Sequence, residues 1–189
     1  MDGTRRSFDL EAIRADFPIL SREVHGKPLV YLDSAASAQK PAQVLDALMS
    51  AYQDTYANVH RGLHFLSEAS TDLYEAVRGK VAGFIGAASG DEIVLTSGAT
   101  MSLNLIARCW AQPRLQPGDE ILISIAEHHA NIVPWQMVAE ATGARVRAFT
   151  LEDDGAFSMA RLKAEMSECT RIISVPHVSN VLGTVFPVA

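Results

Sequence analysis

Apolar positions along this chain follow a helical period at first, then alternate between short extended runs and helical stretches. Near the start, Ile13 and Phe17 share one face of a short helix that Asp9 can cap and Pro18 ends. The run Leu29-Val30-Tyr31-Leu32 predicts a strand, and the small residues of 33–38 predict a loop after it. Pro41 stands where a second helix begins, continued by Val44, Leu45 and Leu48. The period breaks over 56–64, which reads as a loop. From Ser67 onward Ala69, Leu73, Ala76, Val77, Val81, Phe84 and Ile85 keep an apolar stripe, with Glu68 and Asp72 in the first turn.

The second half is more regular. Strands are expected at 92–96, 121–125, 145–150 and 171–175, and helices at 100–111, 132–141 and from Ser158 through Met166. Leu103, Ile106, Ala107 and Trp110 define the inward face of the first of these helices, and Cys109 is expected to pack in the core beside them. Pro117-Gly118-Asp119 and Asp153-Asp154-Gly155 supply turns. Strand and helix alternating at this spacing predict an α/β fold with a mostly parallel sheet and right-handed crossovers.

Composition narrows the function classes without choosing one. The 189 residues are 48% hydrophobic and 20% charged, as in ordinary globular proteins. A net charge of −6 with no basic block disfavours nucleic acid and anionic membranes as partners. No apolar run is long enough to span a bilayer, and residues 1–8 lack a signal-peptide core. Cys109 and Cys169 have neither metal-type spacing nor a disulfide framework, so a cytoplasmic chain with reduced thiols is expected.

The candidate chemistry sits where strands end. Thr96-Ser97-Gly98-Ala99-Thr100 runs from a strand into a helix, and aims free backbone N–H groups and the Thr100 hydroxyl at the positive end of the helix dipole. A phosphate suits that position. Glu127-His128-His129-Ala130-Asn131 follows the second strand of the series and His177-Val178-Ser179-Asn180 the fourth. In an open parallel sheet ligands lie outside the carboxyl ends of the strands, so the three clusters are expected to share one rim. In an extended segment His128 and His129 point to opposite sides, one toward the pocket and the other to backbone. No metal is expected: His128 and His129 have no third ligand at a recognised spacing, and His60 and His64, four apart as in helical metal pairs, flank Gly62 in a loop rather than a helix.

Four motifs in order carry a resemblance: Tyr31-Leu32-Asp33-Ser34-Ala35-Ala36-Ser37-Ala38-Gln39-Lys40-Pro41, Val59-His60-Arg61-Gly62-Leu63-His64, Glu127 to Trp135, and His177 to Thr184. In these the chain resembles the group II (SufS/CsdA-like) cysteine desulfurases of the class V aminotransferase family, from about Phe8 onward and over the first half of such an enzyme. The resemblance implies pyridoxal 5'-phosphate as cofactor, and part of the large domain of a fold type I enzyme with helices on both faces of its sheet. Residues 1–28 would be an N-terminal helical segment belonging to the small domain, and 29–189 the first half of the cofactor-binding large domain.

By the same resemblance Ala99 and Thr100 would bind the cofactor phosphate, and His128 would stack on the pyridine ring and assist proton transfer. Asn180 would lie beside the ring's phenolic oxygen and the substrate carboxylate, while Ala35, His60 and Arg61 would border the substrate entrance. L-cysteine, a sulfur-acceptor protein and a second copy of the full-length enzyme would be the partners, and the reaction would yield L-alanine and a persulfide for iron–sulfur cluster assembly. The phosphate loop departs from the group: Ser97-Gly98-Ala99-Thr100-Met101 replaces its usual Arg-Gly-Thr/Ala-Thr-Glu and is similar to the other desulfurase group. In relatives the Schiff-base lysine, the aspartate at the ring nitrogen, the carboxylate-binding arginine and the sulfur-accepting cysteine all follow the segment Val181-Leu182-Gly183-Thr184. None of Lys27, Lys40, Lys80 or Lys163 matches the lysine motif, nor Cys109 or Cys169 the cysteine loop, so this stretch alone is expected to be inactive. The alternatives are a selenocysteine lyase or other class V enzyme, a non-catalytic half-subunit binding a complementary chain, and an unrelated nucleotide or sugar-phosphate binder.

Overall fold

In the computed structural model, which describes residues 8–188, the Asp9 carboxylate accepts the Ala12 N–H at 3.0 Å and so caps α1 (Leu10–Ala15). A tight turn at His25-Gly26 joins β1 (Glu23–Val24) to β2 (Lys27–Pro28) in a two-stranded antiparallel ribbon. Leu29–Leu32, expected as a strand, pairs with no strand among the described residues; Val30 and Leu32 are exposed. Helix α2 (Ala42–Ser50) starts at the proline as expected and continues through a π-helical turn over Ala51–Thr55. Helix α3 (Phe65–Ile85) ends on Gly86 in the left-handed conformation. These elements belong to a first compact unit that ends at Val94.

The periodic stripe of α3 is real, but it faces outward. Leu73, Val77 and Phe84 are exposed, Phe84 by 90%, whereas Ser67 and Ala82 are buried and Ser70, Thr71, Tyr74, Glu75 and Arg78 are half-buried on another side. Polar contacts decide this side. The Ser67 hydroxyl accepts the Gly62 N–H at 3.0 Å and donates to the Asn58 carbonyl at 2.6 Å, and Thr71 bonds the His60 N–H at 2.9 Å.

A second unit begins at Leu95. Here β3 (Glu120–Ser124) lies between β4 (Arg145–Phe149) and β5 (Thr170–Ser174), parallel to both, in the order β4-β3-β5. Register runs from Glu120 opposite Arg145 to Ser124 opposite Phe149, and a bulge after Glu120 shifts β5 so that Ile121 meets Ile172. Helix α4 (Ala99–Leu105) continues as a π-helical stretch, Ile106–Ala111; α5 (Val133–Thr142) and α6 (Met159–Glu165) follow β3 and β4. Ser158 caps α6 by accepting the Arg161 N–H, as expected.

Alternation along β3 builds two cores. Ile121 and Ile123 pack with Ala107, Ala111, Trp135, Val138 and Ala139 on one face. Leu122 packs with Phe149, Leu151 and Phe186 on the other, where Phe157 and, from α6, Leu162 join them. Helices therefore cover both faces, as the α/β reading required. The inward face of the helix after Thr100 differs from the expected one. Ala107 and Ala111 are buried while Ile106, Cys109 and Trp110 are exposed, so Cys109 is not a core residue. The π-helical turns carry more than 3.6 residues each and rotate the later positions away from the face that a regular helix would present. The extended segment before α4 also lacks a ladder partner among the described residues, so 92–96 is no strand.

Candidate functional site

The second unit gathers two of the three polar clusters at the carboxyl ends of adjacent strands and packs the third against one of them. After β3 the chain does not stay extended: His129–Asn131 forms a 3₁₀ turn capped by His128, whose Nδ1 accepts the Ala130 N–H at 3.1 Å. With Nδ1 used as an acceptor, the neutral ring carries its proton on Nε2. The two histidine rings lie 6.3 Å apart, edge to face at 71°, and both are exposed. His128 is thus the histidine that bonds backbone, and a 3₁₀ turn rather than a strand carries His129.

After β5, residues 177–186 fold back on themselves. Phe186 N–H bonds the His177 carbonyl at 2.8 Å, Val178 bridges Val185, and the Ser179 N–H bonds the Thr184 carbonyl at 2.9 Å. Asn180 sits exposed at the tip of this loop. The buried Ser179 hydroxyl donates to the Ala126 carbonyl at 3.3 Å, which fastens the Asn180 loop to the segment that carries His128. Helix α4, opened by Ala99 and Thr100, packs against the 129–131 turn.

Gly98 holds the turn before α4 in a conformation open to glycine alone, φ 153° and ψ 174°. Nothing lies within 4 Å of where its Cβ would stand. Thr100 and Ala99 are exposed, and no described group takes the Thr100 hydroxyl. An open, side-chain-free cradle with a hydroxyl and backbone donors fits a phosphate ester, so the residues present are compatible with pyridoxal phosphate.

In the first unit Ala35 lies in an exposed turn that Tyr31 closes, its hydroxyl 2.6 Å from the Ser37 carbonyl. His60 takes a positive φ of 69°, puts Nε2 3.5 Å from the Glu75 carboxylate and sits edge-on to Tyr74. Arg61 is exposed, its N–H bonded to the Val59 carbonyl at 3.0 Å. Gly62 is obligatory, since a Cβ there would stand 2.3 Å from Ser67. Among the described residues no three histidine, cysteine or acidic side chains come together as a metal site, and no helix is long and apolar enough to cross a membrane.

What sequence reasoning missed is a polar network beneath the rim. The Ser124 hydroxyl donates to Glu127 at 3.2 Å, and the Asn131 amide donates to the other Glu127 oxygen at 2.9 Å. Asn131 Oδ1 accepts the Trp135 indole N–H at 2.8 Å and the Ser174 hydroxyl at 2.6 Å. The signal was present as polar or amphipathic residues four apart, Glu127, Asn131 and Trp135, within an apolar context.

Burial pushes the Glu127 carboxyl up, and the bonds from Asn131 and Ser124 draw it partly back. Glu120, at the other end of β3, is held low by the Ser167 hydroxyl at 2.6 Å, against some desolvation, and by Arg147. A carboxyl raised on folding contributes fully below its ordinary value of 4.5 and loses that contribution as pH rises through the folded value. A lowered one contributes above its ordinary value and loses this as pH falls through the folded value. Urea midpoints measured across pH are expected to show a shallower decline above the ordinary carboxylate range in Glu127→Gln, and a shallower acid loss in Glu120→Gln. Identical pH profiles for Glu127→Gln and the parent chain would refute the assignment.

The sequence profile described as aminotransferase class-V matches residues 30–189. The chain belongs to the class V aminotransferase family. A cysteine desulfurase of Pectobacterium atrosepticum is 53% identical over 182 residues, 96% of this chain and 45% of that protein. The crystal structure of Escherichia coli cysteine desulfurase CsdA (S-sulfonic acid) superposes with a TM-score of 0.78 at 41% identity, covering 95% of this chain and 44% of that one. The apo cysteine desulfurase of Thermococcus onnurineus NA1 gives 0.84 at 33% identity, over 100% and 44%. This class V chain therefore spans about 45% of the length of the curated relatives it matches, and its α/β fold is the one those pyridoxal-phosphate enzymes share.

Proposed function

We propose that this class V chain supplies the phosphate and ring-face half of a cysteine desulfurase site, acting on L-cysteine and passing sulfur to an acceptor protein. The observation that carries the reading is the convergence in one unit: α4, begun by Ala99 and Thr100, packs on the turn capped by His128, and that segment bonds the loop of Asn180. Identity above 50% to a cysteine desulfurase across 96% of the chain supports the same activity.

Pyridoxal phosphate, when bound, supplies an electron sink for bonds at the substrate α-carbon. The backbone donors at Ala99 and the Thr100 hydroxyl hold its phosphate. His128 offers a flat imidazole face of fixed tautomer, with Nε2–H available to move a proton. The Asn180 amide donates to an oxygen of the ring or of the substrate carboxylate. By the resemblance alone, Ala35, His60 and Arg61 would border the substrate side. Residues 29–189 form the first half of the large domain, and 1–28 belong to the small one. The anchoring lysine and sulfur-accepting cysteine come from outside this stretch, so the chain alone binds cofactor without turnover. A cytoplasmic enzyme working as a homodimer completes the proposal.

Pyridoxal phosphate added to the chain is expected to acquire an induced circular-dichroism band, saturable and competed by inorganic phosphate. Thr100→Val and His128→Ala are each expected to weaken binding about tenfold, through the lost charge-assisted bond and the lost stacking face respectively. A parent chain that induces no band, or variants that bind as the parent does, would refute the reading.

A further inference from the structure

We propose that Glu127, Asn131 and Ser174, none of them exposed, form a positioning set that fixes the imidazole of His128 and its separation from Asn180. The inference rests on the reading of His128 and Asn180 as cofactor-facing residues, and concerns what holds them there.

The geometry is that of a clamp on one short turn. Glu127 precedes His128 directly and Asn131 closes the turn, whose backbone bond runs from the Asn131 N–H to the His128 carbonyl at 2.8 Å. Both ends are therefore tied: Glu127 to Ser124 at the last position of β3, and Asn131 to Glu127, to Trp135 in α5 and to Ser174 at the last position of β5. Between two anchored neighbours, His128 keeps only its side-chain torsions, and the Ala130 N–H holds the ring through Nδ1. Since Ser174 ends the strand that leads to Asn180, its bond to Asn131 joins the turn after β3 to the end of β5 and sets the distance between the two loops.

The network is closed. Ser124 and Asn131 are buried, and among the described residues no buried polar side-chain atom lacks a partner. Two donors, a hydroxyl and an amide, point at the two carboxylate oxygens of Glu127, one each. Glutamine can satisfy the same two contacts, accepting from Asn131 and donating to Ser124, whereas alanine leaves both partners without one. With Glu127 and Ser174 half-buried beside Ser124 and Asn131, a hydrogen-bonded polar chain of this kind specifies one arrangement of the groups it joins.

The test uses the full chain, free of cofactor and then titrated with pyridoxal phosphate. Readouts are the ¹⁵N shifts of the His128 imidazole, the exchange rate of the Asn131 amide, and the induced circular dichroism. Glu127→Ala is expected to mix the two His128 tautomers, speed Asn131 exchange about tenfold and weaken pyridoxal phosphate binding to a similar extent. Glu127→Gln is expected to restore the parent tautomer and exchange rate. Ser174→Ala keeps the bonds from Glu127 to Ser124 and Asn131, and is expected to speed Asn131 exchange about threefold and weaken binding. Unchanged His128 shifts and Asn131 exchange in Glu127→Ala, or no recovery in Glu127→Gln, overturns the proposal. If Glu127→Ala does not fold, Ser174→Ala decides, and parent-like exchange and binding in that variant overturns it. His128 shifts that respond to Glu127→Ala in a chain that binds no pyridoxal phosphate support the positioning set while rejecting the cofactor reading.

Discussion

Phe149→Ala is expected to destabilise the second unit by about 3–5 kcal/mol, measured as the shift in urea unfolding followed by tryptophan fluorescence. Phe149 is fully buried, the last residue of β4, and packs with Leu122, Leu151 and Phe186. Phe157 stands edge-on to it at 6.2 Å and tilts against Phe186 at 5.1 Å. The cost exceeds simple transfer because the neighbours cannot close the space: Leu122 is pinned in the central strand, and Phe186 by its bond to His177. Phe149→Leu, which keeps most of the volume, is expected to cost less than about 1.5 kcal/mol. A loss below about 1 kcal/mol for the alanine variant would mean that this core is not as tightly built as its burial indicates.

Asn131→Ala is expected to cost on the order of 3 kcal/mol, although it removes little apolar area. The loss comes from what remains behind: the indole N–H of Trp135 and the hydroxyl of Ser174 lose their acceptor, and Glu127 loses a donor. Trp135 is almost wholly buried, so bulk solvent does not reach its indole. Adding Trp135→Phe to the variant is therefore expected to recover part of the loss, because it deletes the stranded donor. Strictly additive losses in the double variant, measured by the same denaturation, would argue against this account.

Local signals are legible in this sequence, whereas the partner of an individual strand or face is not. Asp9 and Ser158 were recognisable as caps because a cap needs only the residue and the next turn. The parallel sheet was legible because turns, strands and helices recur in a fixed order through the second unit. Leu29–Leu32 and 92–96 have strand composition and extended backbone, yet a ladder needs a second strand beside it, and spacing carries no information about that neighbour. The stripe on α3 shows the same limit: periodicity identifies a face but not what meets it, and Ser67 and Thr71 brought the opposite side against the 58–62 loop. Cys109 is exposed because it lies in a π-helical turn that no propensity marks. At the rim, the residues that face outward were legible as motifs. Those that hold them in place needed coordinates, since Ser174 lies 43 positions from its partner Asn131.

The turn before α4 rests on an achiral residue. Because the backbone at Gly98 occupies a region that handed amino acids avoid, the shape of this turn is set by the absence of a stereocentre rather than by any side-chain chemistry. It follows that the turn offers no graded series of substitutions. Size, charge and polarity can be varied at Thr100 or His128, but at position 98 every replacement brings the same handedness and the same loss of the turn.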